Sequence, residues 1–255
     1  MDPVTLTLLC VFAFGAGFVD AIAGGGGLVQ TPAALVMLPQ YPVATVLASV
    51  KIPSFTGTGL AIGQYLRRVK LHLPTALLMG ITAFIAAFAG SELLTRVSSR
   101  FMKPVIFFIL VGVAIYTYTK KNFGEHTQKQ YSRRKQMVYA FLISLVIGFY
   151  DGFIGPGAGS FLILAFIALL GYDFLHASAS AKLVNVATNS GSIVLFLFKG
   201  TILWSIALPM AVCNGIGGII GARLAISKGN HFIRIFFLCI VTATLLRLGW
   251  DVFFS

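Results

Sequence analysis

The 255-residue chain is poor in charged residues and in cysteine. Only 10% of its residues are charged and 58% are hydrophobic, whereas soluble domains have about 25% charged residues. The three cysteines, Cys10, Cys213 and Cys239, stand apart in apolar sequence with no CxxC spacing, which gives no redox or metal signal. The sequence also lacks the His-Glu-x-x-His and P-loop lysine motifs. We therefore expect a membrane protein without a metal site or cofactor.

Acidic residues are scarce as well, with 7 against 19 lysines and arginines. The resulting net charge of +12 does not predict nucleic-acid binding, because the basic residues cluster at the ends of apolar stretches. That placement is typical of the positive-inside rule of membrane topology. The basic segment 120–135 is the one long polar stretch of the sequence, and we expect this linker to be cytoplasmic.

Apolar stretches of bilayer-spanning length recur along the chain, at about 20 residues each. They predict an all-α polytopic membrane protein. The stretches lie at 4–38, 42–66, 73–95, 101–119, 136–171, 173–198, 203–225 and 232–254.

The second half of the chain repeats the first with an offset of 131 positions. Asp20 corresponds to Asp151, Lys51 to Lys182, and the run Gly24 to Gly27 to the segment 155–158. Duplicated units of this kind are common in transporters, where the substrate site lies between the repeats. The sequence thus predicts a first transmembrane repeat at 1–119, the linker at 120–135 and a second transmembrane repeat at 136–255.

The first stretch of each repeat is too long for a single helix across the membrane. A helix over 4–38 would be about 52 Å long, against about 30 Å of hydrocarbon, and its glycines favour a break. We predict a re-entrant hairpin that turns at the glycines, which requires surrounding protein or a water-filled cavity. Three full spans then remain in each repeat, and an odd number inverts the second repeat relative to the first.

The predicted site lies near mid-membrane, where the glycine turns and the lysines reach the same depth. The start of each returning helix offers free N–H groups to an anion, and glycine permits close approach. The predicted substrate-binding residues are Gly24, Gly25, Gly26, Gly27, Gln30, Thr31, Lys51, Ser54, Gly155, Gly157, Gly159, Ser160, Lys182, Asn185 and Asn189, with Thr56, Thr58, Thr188 and Ser190 nearby.

Asp20 and Asp151 precede the glycine breaks, at the negative end of a helix, so each carboxylate needs a partner. The sequence leaves open whether that partner is a lysine, a backbone donor or a transported proton. A rival interpretation is an intramembrane aspartyl hydrolase in which the two carboxylates share a proton. The hydrolase explains neither the lysines nor the duplicated glycine turns.

The two glycine-rich motifs run from Gly17-Phe18-Val19-Asp20 to Gly27 and from Gly148-Phe149-Tyr150-Asp151 to Gly159. Together with the segment 181–189, they resemble the paired signature of the sulfite exporter TauE/SafE family. The resemblance implies an inner-membrane carrier that exports small sulfur oxyanions such as sulfite or organosulfonates. The residues alone predict an oxyanion, and the resemblance supplies the sulfur. Its partners would be this anion and the lipid bilayer, with a homodimer as one option.

Overall fold

The computed structural model describes residues 2–98 and 131–254, and every regular element in these two ranges is an α-helix. The helices are α1 (Pro3–Ala23), α2 (Gly26–Met37), α3 (Val43–Tyr65), α4 (Leu73–Arg96), α5 (Arg133–Phe153), α6 (Ala158–Leu170), α7 (Phe174–Lys199) and α8 (Trp204–Phe254). Non-helical Gly229 divides α8, between the predicted spans 203–225 and 232–254. The predicted span 101–119 and the linker up to residue 130 lie outside the described residues, and α5 already begins within the predicted linker.

Six of the described helices are long and apolar enough to cross a membrane: α1, α3, α4, α5, α7 and Trp204–Gly229 of α8. The prediction of an all-α polytopic membrane protein is confirmed. Helices α2 and α6 have 12 and 13 residues, which gives about 18–20 Å at 1.5 Å per residue, short of the hydrocarbon thickness. Helices α1 and α5 have 21 residues each, enough for about 30 Å, so the two limbs of each hairpin are unequal. The re-entrant path itself stays a prediction.

The breaks between α1 and α2 and between α5 and α6 occur at the predicted glycines. Gly24 has φ 73°, Gly155 φ 94° and Gly157 φ 84°. Glycine adopts this left-handed conformation without the clash that a Cβ atom brings. Gly24 also ends α1 by donating its N–H to the Asp20 carbonyl at 2.8 Å. The chain therefore turns sharply four residues after each aspartate, at Gly24 and at Gly155.

Two helices of each repeat pack mainly on a helix of the other repeat. Helices α1 and α3 pack mainly on α8, while α5 and α7 pack on α4. Glycine makes both contacts close: a Cβ atom on Gly221 would lie 2.5 Å from the Phe18 carbonyl oxygen, and one on Gly90 would lie 2.2 Å from that of Phe149. These two pairs are related by the 131-residue offset. We call α1, α2, α3 and the Trp204–Gly229 part of α8 bundle 1, and α4 to α7 bundle 2.

Candidate functional site

A cavity of about 50 Å³ lies between the two bundles. About 10–15 Å³ in this measure admits one water molecule, so the cavity accommodates about four groups of that size, comparable to a small oxyanion. The lining residues are Asp20, Gly24, Gly27, Thr31, Leu47, Val50, Lys51, Ser54, Thr58, Asp151, Ile154, Gly155, Gly157, Ala158, Gly159, Asn185 and Asn189.

The N-termini of α2 and α6 meet at this cavity. Their N-cap residues are Gly25 and Gly157, so neither N-terminus is capped by a side chain. The turns touch one another: a Cβ atom on Gly24 would lie 2.4 Å from the carbonyl carbon of Gly159, and one on Gly27 would lie 3.2 Å from Cα of Pro156. Because the first N–H groups of a helix have no intrahelical partner, the two starts together form an electropositive surface.

Lys51 of α3 reaches the carboxylate of the other repeat. Its Nζ atom lies 2.9 Å from Asp151 Oδ1 and donates a second hydrogen bond, of 2.7 Å, to the Asp151 carbonyl oxygen. Both side chains are 9% exposed. The second oxygen, Asp151 Oδ2, accepts a hydrogen bond from Thr188. Asp151 is therefore held through both carboxylate oxygens.

Lys182 of α7 forms the reciprocal pair with Asp20. Its Nζ atom lies 3.3 Å from Asp20 Oδ2 and donates to the Asp20 carbonyl oxygen. Asp20 Oδ2 also accepts a hydrogen bond of 3.2 Å from Thr58. The Lys182 side chain is fully buried, while that of Asp20 is 18% exposed. Each lysine thus pairs with the aspartate of the opposite repeat.

The two ion pairs differ because the repeats differ at the hydroxyl that supports each carboxylate. The position equivalent to Thr188 is Gly57, and the position equivalent to Thr58 is Asn189. The supporting threonine is therefore displaced by one residue along its helix in one repeat relative to the other. This displacement makes the Asp20 and Asp151 sites chemically distinct despite the duplication.

Most of the predicted binding residues line the cavity, and five do not. The five are Gly25, Gly26, Gln30, Ser160 and Lys182, none of which is among the lining residues. Lys182 differs most from its prediction, since its ammonium group lies behind Asp20 and does not face the cavity.

Gln30 and Ser160 hold helices together. Gln30 donates to the Val50 carbonyl oxygen at 3.1 Å and accepts from Asn214 of α8 at 2.7 Å. Ser160 donates to the carbonyl oxygen of Ala23 at 3.1 Å, across the two hairpins. Gly26 permits close packing on α1, because a Cβ atom there would lie 2.6 Å from Cβ of Asp20.

Sequence reasoning missed Asn214 and the apolar part of the wall. Asn214 is 3% exposed and lies in the second repeat, far from the signature motifs. Leu47, Val50, Ile154 and Ala158 also line the cavity, but apolar residues in an apolar chain carry no distinguishing signal. Thr58 was recognised only as a nearby donor, and the structure places it on both the cavity and Asp20.

The ionisable groups of the site balance one another, with two ammonium groups and two carboxylates in two buried or half-buried pairs. Each pair joins the two bundles. In a low-dielectric interior, an unpaired charge costs several kcal/mol more than a paired one. The site is therefore neutral as a whole, and the two helix N-termini are its electropositive part.

The described residues form six membrane-length helices, two interrupted helix pairs and a cavity between bundles that carries two ion pairs. Together these features define a polytopic membrane transporter. The family model of the sulfite exporter TauE/SafE matches residues 9–248. The chain belongs to this family.

The chain is also similar to several bacterial proteins along nearly its whole length. A probable membrane transporter protein, ORF9, from Sinorhizobium sp is 36% identical over 96% of this chain and 93% of its own. A probable membrane transporter protein from Haemophilus influenzae is 34% identical over 90% and 88%, and YfcA from Escherichia coli K12 is 33% identical over 92% and 86%. No solved structure gives a significant match.

This family membership makes the protein a transporter and not an enzyme, so the alternative of an aspartyl hydrolase is wrong. The ion pairs are consistent with that conclusion. Each carboxylate is bonded to a lysine of the other repeat, whereas a catalytic dyad needs two carboxylates that share one proton.

Proposed function

We propose that the protein exports sulfite or a small organosulfonate across the cell inner membrane by alternating access. The observation that carries this proposal is the meeting of two glycine-capped helix N-termini and Lys51 at one small cavity between two bundles. Helix N-termini bind the oxygens of sulfate-like and phosphate-like groups through backbone N–H groups. Lys51 adds a positive charge once its bond to Asp151 is rearranged.

The dimensions of the cavity support a small anion. A volume of about 50 Å³ matches three or four oxygens around one central atom and leaves little room for a large organic group in this conformation. Ser54, Thr31 and Asn189 add polar side chains to the wall. The site thus offers several hydrogen-bond donors to an oxygen-rich ligand, and the family supplies the expectation that the central atom is sulfur.

The bodies that move are bundles 1 and 2 in this proposal. In transporters built from two repeats, the repeats commonly rock against each other. Helix packing favours a different division, since α1 and α3 pack on α8 of the other repeat and α5 and α7 pack on α4. The cavity and both ion pairs lie where bundle 1 meets bundle 2, so a rocking motion there would open the site to one side at a time.

The proposal places the cavity near mid-membrane and the 120–135 linker in the cytoplasm. The division into a first repeat at 1–119, the linker at 120–135 and a second repeat at 136–255 is part of the proposal. A proton carried by Asp20 or Asp151 is one way to drive the cycle.

Binding to the purified protein tests the proposal. We would titrate sulfite, sulfate, thiosulfate, sulfoacetate, taurine and a carboxylate by calorimetry or thermal shift. Sulfite or a sulfonate is expected to bind and the carboxylate to bind more weakly. Lys51→Ala should weaken binding at least about tenfold, which corresponds to the loss of one charge-assisted interaction. Lys182→Ala should also weaken binding, because it leaves Asp20 as an unpaired carboxylate beside the anion.

Lys199→Ala is the matched control, because Lys199 is 42% exposed and pairs with Glu92 away from the cavity. It should bind like the wild type. Size-exclusion chromatography establishes that each variant is folded. Unchanged affinity in both Lys51→Ala and Lys182→Ala would contradict the assigned site, and an absence of anion binding by the wild type would contradict the function.

A further inference from the structure

We propose that Asp20 is the proton-binding residue of the cavity, so that an anion occupies the site together with one proton on this carboxylate. The inference rests on the proposed function and adds to it the identity of the coupled ion and of the residue that carries it. The sequence and the ion pairs alone leave Asp20 and Asp151 as equal candidates. Their surroundings distinguish them.

Charge balance requires a compensating change when an anion enters. Two lysines and two aspartates make the empty site neutral, and a bound monoanion makes it negative by one. A proton taken up by one aspartate restores neutrality. With charges about 5 Å apart at an effective dielectric constant of about 20, proton and anion should strengthen each other's binding about 270-fold.

Asp20 is better placed than Asp151 to accept that proton. The side-chain bonds from Lys182 and Thr58 both end on Asp20 Oδ2, whereas Asp151 is bonded at Oδ1 by Lys51 and at Oδ2 by Thr188. Asp20 is also twice as exposed, at 18% against 9%. Its Oδ1 oxygen is therefore the position where a proton adds with the least disruption.

Lys182 explains why the anion and the proton must come together. It is fully buried and pairs with Asp20, which itself lines the cavity. Protonation of Asp20 by water in the cavity leaves Lys182 as a buried cation without a counterion, and this is costly. An anion in the cavity supplies the missing negative charge. Lys182 stays in place meanwhile through its bond to the Asp20 carbonyl oxygen.

The other ionisable groups near Asp20 do not replace it in this role. Helices α2 and α6, which pack on or beside α1, have no ionisable side chain. Helix α3 contributes Lys51 and Tyr65, and Tyr65 donates to the Ala21 carbonyl at 2.8 Å. In the part of α8 that belongs to bundle 1, Arg223 is exposed and Cys213 contacts Cys10.

Calorimetric titration with sulfite in buffers of different ionisation enthalpy tests the inference, because it counts protons taken up per anion bound. We would compare the wild type, Asp20→Asn and the double variant Lys51→Met/Asp151→Leu. The wild type should take up one proton more than Asp20→Asn. Any proton gained or lost by sulfite itself is the same in both titrations and cancels when they are compared. Asp20→Asn should bind sulfite with little further dependence on pH, since the amide mimics the protonated acid. Lys51→Met/Asp151→Leu removes one ion pair and keeps the site neutral, so it should bind sulfite more weakly but take up the same proton as the wild type.

Equal proton counts in the wild type and Asp20→Asn would overturn the inference, as would loss of the proton in Lys51→Met/Asp151→Leu. Failure of the wild type to bind sulfite would instead remove the proposed function on which the inference depends. If Asp20→Asn does not fold, infrared difference spectroscopy on the wild type tests the inference instead. Sulfite should produce the C=O stretching band of a newly protonated carboxyl group, and its absence would refute the proposal.

Discussion

Lys51 Nζ lies 2.9 Å from Asp151 Oδ1, although the two residues belong to different repeats and are 100 positions apart in the sequence. The reciprocal pair, Lys182 with Asp20, completes a crossed arrangement. Each lysine lies on the helix that follows the hairpin of its own repeat and reaches the hairpin of the other. The two ion pairs therefore connect the bundles at the cavity wall.

Breaking the Lys51–Asp151 pair should destabilise the protein strongly. Removal of one partner leaves the other charge buried, which costs about 3–5 kcal/mol. Lys51→Met should lower the free energy of unfolding by about that amount, measured by denaturant titration in detergent. The double variant Lys51→Met/Asp151→Leu should recover much of the loss, because no unpaired charge remains. A double variant as unstable as the single one would contradict a direct pairing.

Much of this architecture could be predicted from the sequence, because it depends on local properties. Apolar stretches gave the helices to within a few residues, and Gly24 and Gly155 marked the breaks through the backbone conformation they permit. The convergence of the glycine turns and the lysines followed from counting along helices. These inferences need no knowledge of how the repeats pack.

The crossed pairing and the exchange of helices could not be predicted in the same way. They depend on which helix faces which across the interface, and equivalent residues in the two repeats look alike in sequence. Gln30 shows the consequence. A polar residue six positions after the glycine break suggested a ligand contact, but its side chain is bonded to Asn214 and the Val50 carbonyl. Nothing near Gln30 in the sequence indicates that partner.

Gly24→Ala should disrupt the contact between the turns of the two hairpins. Gly24 has φ 73°, and a Cβ atom there would lie 2.4 Å from the backbone of Gly159, so both strain and a clash oppose the substitution. We expect a loss of stability above about 2 kcal/mol and a loss of anion transport in proteoliposomes. Gly59→Ala in α3 is the matched control, because a Cβ atom there meets nothing within 4 Å. It should transport normally, and equal damage in both variants would argue against the turn contact.

Cys10 of α1 and Cys213 of α8 come together in the structure, which their separate positions in the sequence did not predict. Their thiols are neighbours, and both cysteines are free. Both residues belong to bundle 1. If bundles 1 and 2 are the moving bodies, a disulfide between these thiols joins parts that move together. Oxidation should therefore leave transport unchanged.

A disulfide across the bundles should have the opposite effect. Ser160 Oγ lies 3.1 Å from the Ala23 carbonyl oxygen across the two bundles, and neither residue lines the cavity. In a Cys10→Ser/Cys213→Ser background, oxidised Ala23→Cys/Ser160→Cys should stop transport in proteoliposomes, and reduction should restore it; mass spectrometry establishes each bridge. Transport that stops when the native pair is oxidised would instead mean that α1 and α8 move apart. The sequence repeats themselves would then be the moving units.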